Sequence, residues 1–141
     1  MAAAPDRKGR VLVVEDEEPI RRFIRRALEP AYEVHEAAQG QEALNQARWA
    51  RPDVILLDIR LPGFDGMTVL AKLKAHDETK MIPVVMVTGR GDTDALMACQ
   101  RAGAVDHIIK PFNVEDLVKS IDLRMALRPP DPTADPAAPA P

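Results

Sequence analysis

VLVVEDEEPI, residues 11 to 20, places an apolar run directly before a cluster of acidic residues. The first four residues have the length and composition of a buried β-strand, whereas four acidic residues, 15 to 18, follow without a spacer. Two unit charges about 4 Å apart repel each other by roughly 4 kcal/mol at an effective dielectric near 20. Either these carboxylates spread into water, or a cation binds between them.

The pattern of this strand and the helix after it repeats along the chain. Pro19 suits the first turn of a helix, where its missing N–H costs nothing, and apolar residues at 20, 23, 24, 27 and 28 recur on one helical face. Four further strand-then-helix pairs follow, so the sequence predicts an α/β fold in which five helices cover both faces of a five-stranded parallel sheet. The predicted strands are residues 11–14, 32–37, 54–57, 83–87 and 107–109, and the predicted helices cover about 20–28, 40–50, 67–75, 92–102 and 114–125, the last with Asn113 as its N-cap.

The length of 141 residues fits one domain, which we place at residues 10–128. The flanking segments 1–9 and 129–141 are rich in Ala, Pro and polar residues, and we expect both to be disordered. The second segment is either a dispensable tail or the start of a linker to a further domain.

Composition also narrows the partners and the compartment. A net charge of -3 with no obviously basic face argues against direct nucleic-acid binding. No stretch has the pattern of a secretory signal or approaches the roughly 18 apolar residues of a membrane span, so we expect no membrane partner and a cytoplasmic location. The only cysteine, Cys99, lies among apolar residues and is predicted to be a small packed thiol.

The residues at the ends of the predicted strands are the candidates for chemistry, because ligands of open α/β sheets bind beyond the carboxyl ends of the strands, where the strand order reverses. If the strand order is 2-1-3-4-5, the first and third strands are neighbours at that point, and Asp16 meets Asp58. Three carboxylates and one lysine leave a deficit of positive charge that a divalent cation fills, and oxygen ligands from separate loops suit Mg²⁺ better than Ca²⁺. An aspartate beside such a metal can accept a phosphoryl group. The strand-end residues are Glu15, Asp16, Asp58, Thr88 and Lys110.

Four motifs carry a resemblance to a known family: VLVVEDEE, PDVILLDIRLPGFDG, PVVMVTG and GAVDHIIKPF, in that order. Over about residues 10 to 127 they closely resemble the receiver domain of bacterial two-component response regulators, which has the CheY-like, flavodoxin-like fold. The resemblance implies that Asp58 accepts a phosphoryl group from a sensor histidine kinase or a histidine phosphotransfer protein. It also implies a cis peptide bond between Lys110 and Pro111.

The resemblance assigns a role to each remaining site residue. It implies that Asp16 binds Mg²⁺ directly and that Glu15 binds it through water. Asp58 and the backbone carbonyl of Arg60 would complete the protein ligands. Thr88 and Lys110 would hold the phosphoryl oxygens.

Two residues depart from the family pattern. Glu15 replaces the more frequent Asp of the acidic pair, which keeps the charge on a longer side chain. His107 stands where the family usually carries Tyr or Phe, a ring that turns inward when the hydroxyl matching Thr88 moves toward the phosphate. Because histidine is more polar and changes charge near physiological pH, we expect a switch that is weaker or pH-sensitive. The alternative is that His107 is a half-exposed strand residue with no switching role.

Charged residues on the first helix allow two interpretations. Glu17 and Glu18 lie four residues before arginines, a spacing typical of ion pairs within a helix, so we place them outside the site. The basic group on this helix is either a solvated face whose long side chains cover the core or a docking surface for a kinase or phosphotransfer helix. It consists of Arg21, Arg22, Arg25 and Arg26.

Two further arginines flank the predicted site. Arg60 and Arg90 each follow a site residue by two positions. The resemblance implies that these positions tune how long the phosphoryl group survives, and we hypothesise that both guanidinium groups shield it from water.

Two other functions compete with a phosphorylation-controlled switch. A phosphatase of the haloacid-dehalogenase type has a second Asp two residues after its aspartyl nucleophile, whereas this chain has Arg60 there, so we expect no enzyme beyond slow self-dephosphorylation. A pseudo-receiver that is never phosphorylated would not need the intact set of strand-end residues. We therefore expect a switch that a downstream protein or an output domain reads through the face of the fourth helix, fifth strand and fifth helix, where a homodimer is a further alternative.

Overall fold

The computed structural model describes residues 8–128, in which five parallel strands form one sheet with helices on both faces. The strand order is β2-β1-β3-β4-β5, which confirms the predicted topology. The strands are β1 (Arg10–Val14), β2 (Glu33–Ala37), β3 (Val54–Asp58), β4 (Val84–Thr88) and β5 (Asp106–Ile109), and the helices are α1 (Glu18–Leu28), α2 (Gly40–Ala50), α3 (Gly66–Ala75), α4 (Thr93–Arg101) and α5 (Val114–Ala126).

The continuous apolar runs become the three inner strands. Every residue of β3 and β4 is buried, as are the four valine and leucine residues of β1, because helices cover both sides of the sheet. Residues of α1 and α5 pack on one face, and residues of α2, α3 and α4 pack on the other. The core therefore consists of two apolar layers separated by the sheet.

The strand boundaries differ slightly from the predicted ones, for reasons of hydrogen bonding. β4 begins at Val84, one residue later than expected, because Pro83 has no N–H to donate to a neighbouring strand. The carbonyl of Pro83 still accepts the N–H of Ile55 at 3.0 Å. β2 lies at the edge of the sheet, and its partly alternating burial is typical of such a strand.

Two side chains cap the helices that follow β3 and β5. Asn113 accepts the N–H of Asp116 at 2.7 Å, which confirms the predicted N-cap of α5. Asp65 caps α3 in the same way, accepting the N–H of Thr68 at 3.0 Å. At the next position, Gly66 lies so close to β3 that a Cβ there would come within 2.2 Å of the Asp58 carbonyl oxygen. The turn before α3 thus packs directly against the end of β3.

One residue on the predicted apolar face of α1 is exposed. Ile24 and Leu28 are buried against the sheet, whereas 43% of Phe23 is accessible. The ring of Phe23 instead lies 6.1 Å, centroid to centroid, from the ring of Phe112 in the loop before α5. Because a helix on a sheet buries only a stripe of its surface, a residue at the margin of that stripe stays at the surface. Phe23 therefore lies at the margin of the apolar face of α1 and not in the core.

The chain ends lie almost entirely outside the described residues. Of the segments predicted to be disordered, 1–9 and 129–141, only Lys8 and Gly9 are described, and the Gly9 carbonyl accepts the N–H of Glu33 at 2.8 Å. Cys99 is buried in the core, as predicted. Among the helices of residues 8–128, none combines the length and the apolar character that a bilayer crossing requires.

Candidate functional site

The ends of β1 and β3 bring three carboxylates together. Val14 pairs with Leu57 in the parallel register, so the residues that follow, Glu15 and Asp58, emerge side by side at the same edge of the sheet. Asp16 is the next residue along the chain. One oxygen from each of these three carboxylates lies within 4.8 Å of the others. The structure therefore places Glu15, Asp16 and Asp58 where the strand-end argument predicted them.

The three acidic side chains differ in burial. Only 2% of the Glu15 side chain and 7% of the Asp58 side chain are exposed, whereas Asp16 reaches solvent. Glu15 Oε2 accepts the N–H of Glu17 at 3.1 Å, and Asp58 Oδ1 accepts the N–H of Arg60 at 3.0 Å. Two buried carboxylates thus depend on local backbone donors for part of their hydrogen bonding.

Lys110 supplies the positive charge of the cluster. Its Nζ donates to Asp58 Oδ2 at 2.8 Å and lies 2.8 Å from Glu15 Oε1. The contact with Glu15 is an ion pair by distance, but its orientation does not meet hydrogen-bond geometry, so Oε1 is a buried carboxylate oxygen without a hydrogen-bond partner. The peptide bond between Lys110 and Pro111 is cis, as predicted.

The pKa values of two groups show how strongly the cluster is charged. Burial raises the pKa of Glu15 to about 7, against the lowering effect of Lys110 and of the Glu17 N–H, and the nearby charge of Asp58 adds to the rise. Burial would lower the pKa of Lys110, but its interactions with the carboxylates of Asp58 and Glu15 outweigh burial and raise the pKa. One ammonium group is therefore insufficient to balance the carboxylates at neutral pH.

The residues present fit a divalent metal ion. Glu15 Oε1 is buried without a hydrogen-bond donor, and three carboxylates from two strand ends offer oxygen ligands to one point. Hard cations such as Mg²⁺ prefer oxygen ligands and keep several waters, which suits a cluster with one solvent-exposed member, Asp16. That the backbone carbonyl of Arg60 is a further metal ligand stays a prediction.

Thr88 and His107 occupy the neighbouring strands. Thr88 is the last residue of β4 and is buried, and its carbonyl accepts the N–H of Lys110 at 2.7 Å. It pairs with Ile109 of β5, so His107 lies two residues earlier on that strand, half-buried and opposite Met86. Thr88 thus stands at the same edge of the sheet as Asp58. The switching role of His107 stays a prediction.

The arginines of α1 do not behave as one basic face. Arg22 forms the predicted ion pair with Glu18. The expected pair of Glu17 with Arg21 is wrong, since Arg21 binds Glu36 of β2 at 2.9 Å and donates to the Glu15 carbonyl at 2.8 Å. Arg25 also pairs with Glu36.

A contact between helix α1 and strand β2 explains the change of partner. Glu36 lies beside α1 in the folded protein, although it is 15 residues from Arg21 in the chain. Two of the four arginines therefore support the fold around the site, which leaves Arg22 and Arg26 as the exposed basic residues of α1.

Asp92 is a site neighbour that the sequence did not reveal. Its carboxylate binds the side chain of Arg60, with Asp92 Oδ1 accepting from Arg60 Nε at 3.0 Å and also from Nη2. The sequence showed Asp92 only as the start of a helix, because it lies 32 residues from Arg60 and no local spacing connects the two. Arg90, the second predicted shield, is exposed in the loop between Thr88 and Asp92.

Comparison with known proteins places this geometry in context. The family model described as "Response regulator receiver domain" matches residues 11–122. The transcriptional regulatory protein SrrA of Staphylococcus aureus is 39% identical over 109 residues, which cover 77% of this chain and 44% of that protein. This chain therefore spans less than half the length of that curated relative.

Solved structures show the same likeness. The chemotaxis response regulator CheY4 of Vibrio cholerae superposes with a TM-score of 0.77 at 32% identity, covering 82% of this chain and 98% of that one. The receiver domain of NtrX from Brucella abortus gives a TM-score of 0.76 at 31% identity, with 82% and 98% covered.

Proposed function

This chain belongs to the response regulator receiver domain family of two-component signalling, and from that premise we propose that Asp58 accepts a phosphoryl group from a phosphohistidine. The donor would be a sensor histidine kinase or a histidine phosphotransfer protein. The observation that carries the proposal is the environment of Asp58, whose Oδ2 lies 2.8 Å from the Lys110 ammonium within a cluster of three carboxylates. Such an arrangement brings a nucleophilic oxygen and positive charge to one point.

The proposed transfer follows from the groups around Asp58. A carboxylate oxygen of Asp58 forms a bond to phosphorus while the P–N bond of the phosphohistidine breaks, and the imidazole leaves with the electron pair and takes up a proton. The ammonium of Lys110 then pairs with phosphoryl oxygens, and the Thr88 hydroxyl donates a hydrogen bond to one of them. Mg²⁺ held by Glu15, Asp16 and Asp58, with the Arg60 carbonyl, would neutralise charge on the phosphoryl oxygens.

An apolar groove beside the site supports docking of a helical partner. It has a volume of about 420 Å³ and lies next to Lys110, where it is open to solvent on the α1 side. The exposed ring of Phe23 lies within it, and Arg22 and Arg26 line the adjoining surface of α1. A kinase or phosphotransfer helix with an apolar stripe and acidic neighbours would match this surface. The groove is lined by Pro19, Ile20, Phe23, Lys110, Pro111 and Phe112.

We propose that the signal leaves through the face formed by α4, β5 and α5. Met97 of α4 and Ile109 of β5 are exposed apolar residues on these elements, and β5 directly adjoins β4, which ends at Thr88. A downstream protein, an output domain or a second copy of the chain would read this face. Because the chain spans less than half of its curated relative, an output domain beyond the tail is one of these alternatives. From the net charge of -3, we expect no direct nucleic-acid contact from the receiver domain itself.

We also propose that the phosphorylated state turns over slowly. A dephosphorylating enzyme needs a group that activates water or protonates the leaving carboxylate. The position two residues after Asp58 carries Arg60, whose guanidinium is bound to Asp92 and cannot take that role. This favours a signalling switch over an aspartyl phosphatase.

The experiment that tests the proposal measures covalent phosphorylation. The protein is incubated with a small phosphodonor, with and without Mg²⁺, and its intact mass is measured. We expect a gain of one phosphoryl group that requires Mg²⁺, is lost in Asp58→Asn and is retained in Asp77→Asn, an exposed aspartate far along the chain. A gain that persists in Asp58→Asn, or no gain in the parent protein, contradicts the proposed function.

A further inference from the structure

A buried carboxylate outside the metal cluster joins the two loops beside Asp58. We propose that Asp92 is a positioning residue for the reaction at Asp58, because it holds the Arg60 guanidinium at the border of the site and thereby sets the lifetime of the phosphoryl group. The inference rests on the proposed function and extends it to a residue outside the strand ends. Asp92 would touch neither the phosphoryl group nor the metal, and would act through Arg60.

Both carboxylate oxygens of Asp92 point away from the helix that it precedes. Asp92 occupies the N-cap position of α4 but makes no side-chain hydrogen bond to an N–H of that helix. Oδ1 accepts from Arg60, and Oδ2 accepts the N–H of Gly89 at 2.8 Å. An aspartate at this position ordinarily caps the helix. Here the same side chain binds across to another loop, which indicates that its contacts serve the site and not the helix.

The ion pair is asymmetric in burial. Only 4% of the Asp92 side chain is exposed, whereas 77% of the Arg60 side chain is accessible. Its carboxylate accepts two N–H groups of the Arg60 guanidinium and the N–H of Gly89, a set of donors that suits a charged carboxylate. Among the described residues, Arg60 is the only cationic side chain bonded to Asp92. If Arg60 moved away, the charged and buried Asp92 would lose this partner. Because Asp92 itself is buried, leaving its charge without a cationic partner is unfavourable.

Arg60 therefore stays on Asp92 when Asp58 gains a phosphoryl group. Arg60 is held at both ends, because its backbone N–H donates to Asp58 Oδ1 at 3.0 Å and its guanidinium binds Asp92. A guanidinium held in this way does not swing onto the phosphoryl oxygens. It forms a fixed side of the opening and limits the approach of water to phosphorus.

The contacts of Asp92 lead to the proposed phosphoacceptor, Asp58, and to the loop that follows Thr88. The N–H of Arg60 donates to Asp58 Oδ1 at 3.0 Å, and Gly89 directly follows Thr88 in the chain. Asp92 thus joins the residue after β4 to the residue that holds Asp58 in place. Loss of its charge in Asp92→Asn would release the Arg60 side chain, whereas the asparagine carbonyl can still accept the N–H of Gly89.

The test is a double-mutant cycle on self-dephosphorylation. In this step water bonds to phosphorus, the bond to the Asp58 oxygen breaks, and inorganic phosphate leaves. After phosphorylation with a small phosphodonor and Mg²⁺ and removal of the donor, the decay of the phosphorylated mass gives the rate. We expect Asp92→Asn and Arg60→Ala each to shorten the lifetime about threefold to tenfold, as for a coupling of contacting residues.

The cycle separates positioning from a general structural effect. If Asp92 acts through Arg60, the variant with both substitutions decays no faster than Arg60→Ala alone. Asp94→Asn is the matched control, since Asp94 is an exposed acid in the first turn of α4, and it should retain the parent lifetime. A parent lifetime in Asp92→Asn, or an equal acceleration by Asp92→Asn in the presence and absence of the Arg60 side chain, overturns the inference.

A measurement without phosphate keeps the two proposals distinguishable. In the unphosphorylated protein, the Arg60 Nε–H should give an NMR signal that exchanges slowly with water and is lost in Asp92→Asn but kept in Asp94→Asn. A rapidly exchanging Arg60 Nε–H in the folded parent refutes the positioning role. A parent that takes up no phosphoryl group refutes the proposed function, and the inference falls with it. A phosphorylated parent with an unaffected Asp92→Asn lifetime refutes the inference alone.

Discussion

Replacing Glu15 by Gln should stabilise the metal-free protein, because Glu15 is a buried acid whose charge serves our proposed function only when a metal ion is bound. Each tenfold change in proton affinity corresponds to about 1.4 kcal/mol. Because the pKa of Glu15 rises from 4.5 to about 7, the folded protein opposes its ionised form by at most about 3 kcal/mol. Relaxation and water penetration reduce such penalties, so we expect Glu15→Gln to raise the free energy of unfolding by about 1 to 2 kcal/mol at about pH 8.

The glutamine side chain fits the contacts of Glu15. Its carbonyl oxygen can accept the N–H of Glu17, as Glu15 Oε2 does at 3.1 Å, and its amide can donate to Asp58. The lost ion pair with Lys110 is already included in the raised pKa, since Lys110 favours the charged form and burial still prevails. The substitution therefore removes a buried charge, and the Lys110 ammonium, 2.8 Å from Glu15 Oε1 in the parent, must shift from the new amide group toward Asp58.

The pH dependence follows from the direction of the shift. Between pH 4.5 and about 7 the folded protein retains a proton on Glu15 that the unfolded chain has released, so the parent loses stability as the pH rises through this window. Glu15→Gln has no such loss at this position. The stability difference between the two proteins should therefore be small near pH 4.5 and complete above about pH 7.

The assay is urea unfolding in the presence of a chelator, at several pH values, with free energies extrapolated to water. Glu78→Gln, at an exposed glutamate, is the control for loss of one negative charge. Added Mg²⁺ should stabilise the parent at about pH 8 and narrow the gap to Glu15→Gln, because a ligand that binds only the folded state stabilises it. A Glu15→Gln protein that is less stable than the parent in chelator, or a difference that does not change with pH, refutes the reasoning.

Three further predictions test the loops and the remaining titratable groups. In urea unfolding, Gly66→Ala should lower the free energy of unfolding by about 3 kcal/mol, because its Cβ would lie 2.2 Å from the backbone carbonyl oxygen of Asp58. Gly91→Ala is the control, since open space surrounds Gly91, and it should stay within about 0.5 kcal/mol of the parent. The single tyrosine, Tyr32, should titrate at a pKa of about 12 in a phenolate absorbance titration, because burial and then its bond to Asp122 raise its pKa. Asp122→Asn should lower that pKa. The parent should lose stability above pH 10, the ordinary tyrosine value, because only the unfolded chain is then deprotonated. If His107 makes the switch pH-sensitive, binding of the phosphorylated protein to its target should differ between about pH 6 and about pH 8 and become equal in His107→Phe; equal binding by the parent at both pH values argues against that role.

The sequence predicted the sheet and the location of the site for the same physical reason. Apolar runs of strand length, each followed by a helical period, can bury their surface only as a parallel sheet covered on both faces. The carboxyl ends of parallel strands point the same way, so residues directly after neighbouring strands must meet. The sequence therefore predicts that Asp16 meets Asp58, and the structure brings both together with Glu15; the cis bond before Pro111 follows from the family resemblance.

Contacts between distant segments could not be predicted in this way. Local spacing predicted that Glu17 would pair with Arg21, but in the folded protein Glu36 of the edge strand lies closer and binds that arginine. Helical periodicity put Phe23 on the apolar face of α1, but in the folded protein this residue stays exposed. Neither outcome depends on a pattern that repeats within one element.

What the sequence determined by itself was the order of elements and the chemistry at the strand ends, because hydrophobic periodicity and chain direction are local properties. Only the tertiary structure decided the depth at which Glu15 is buried and the pairing of Arg60 with Asp92, since both depend on how loops from different strands pack together. Burial sets the energetic consequence of a charge, and packing sets its partner.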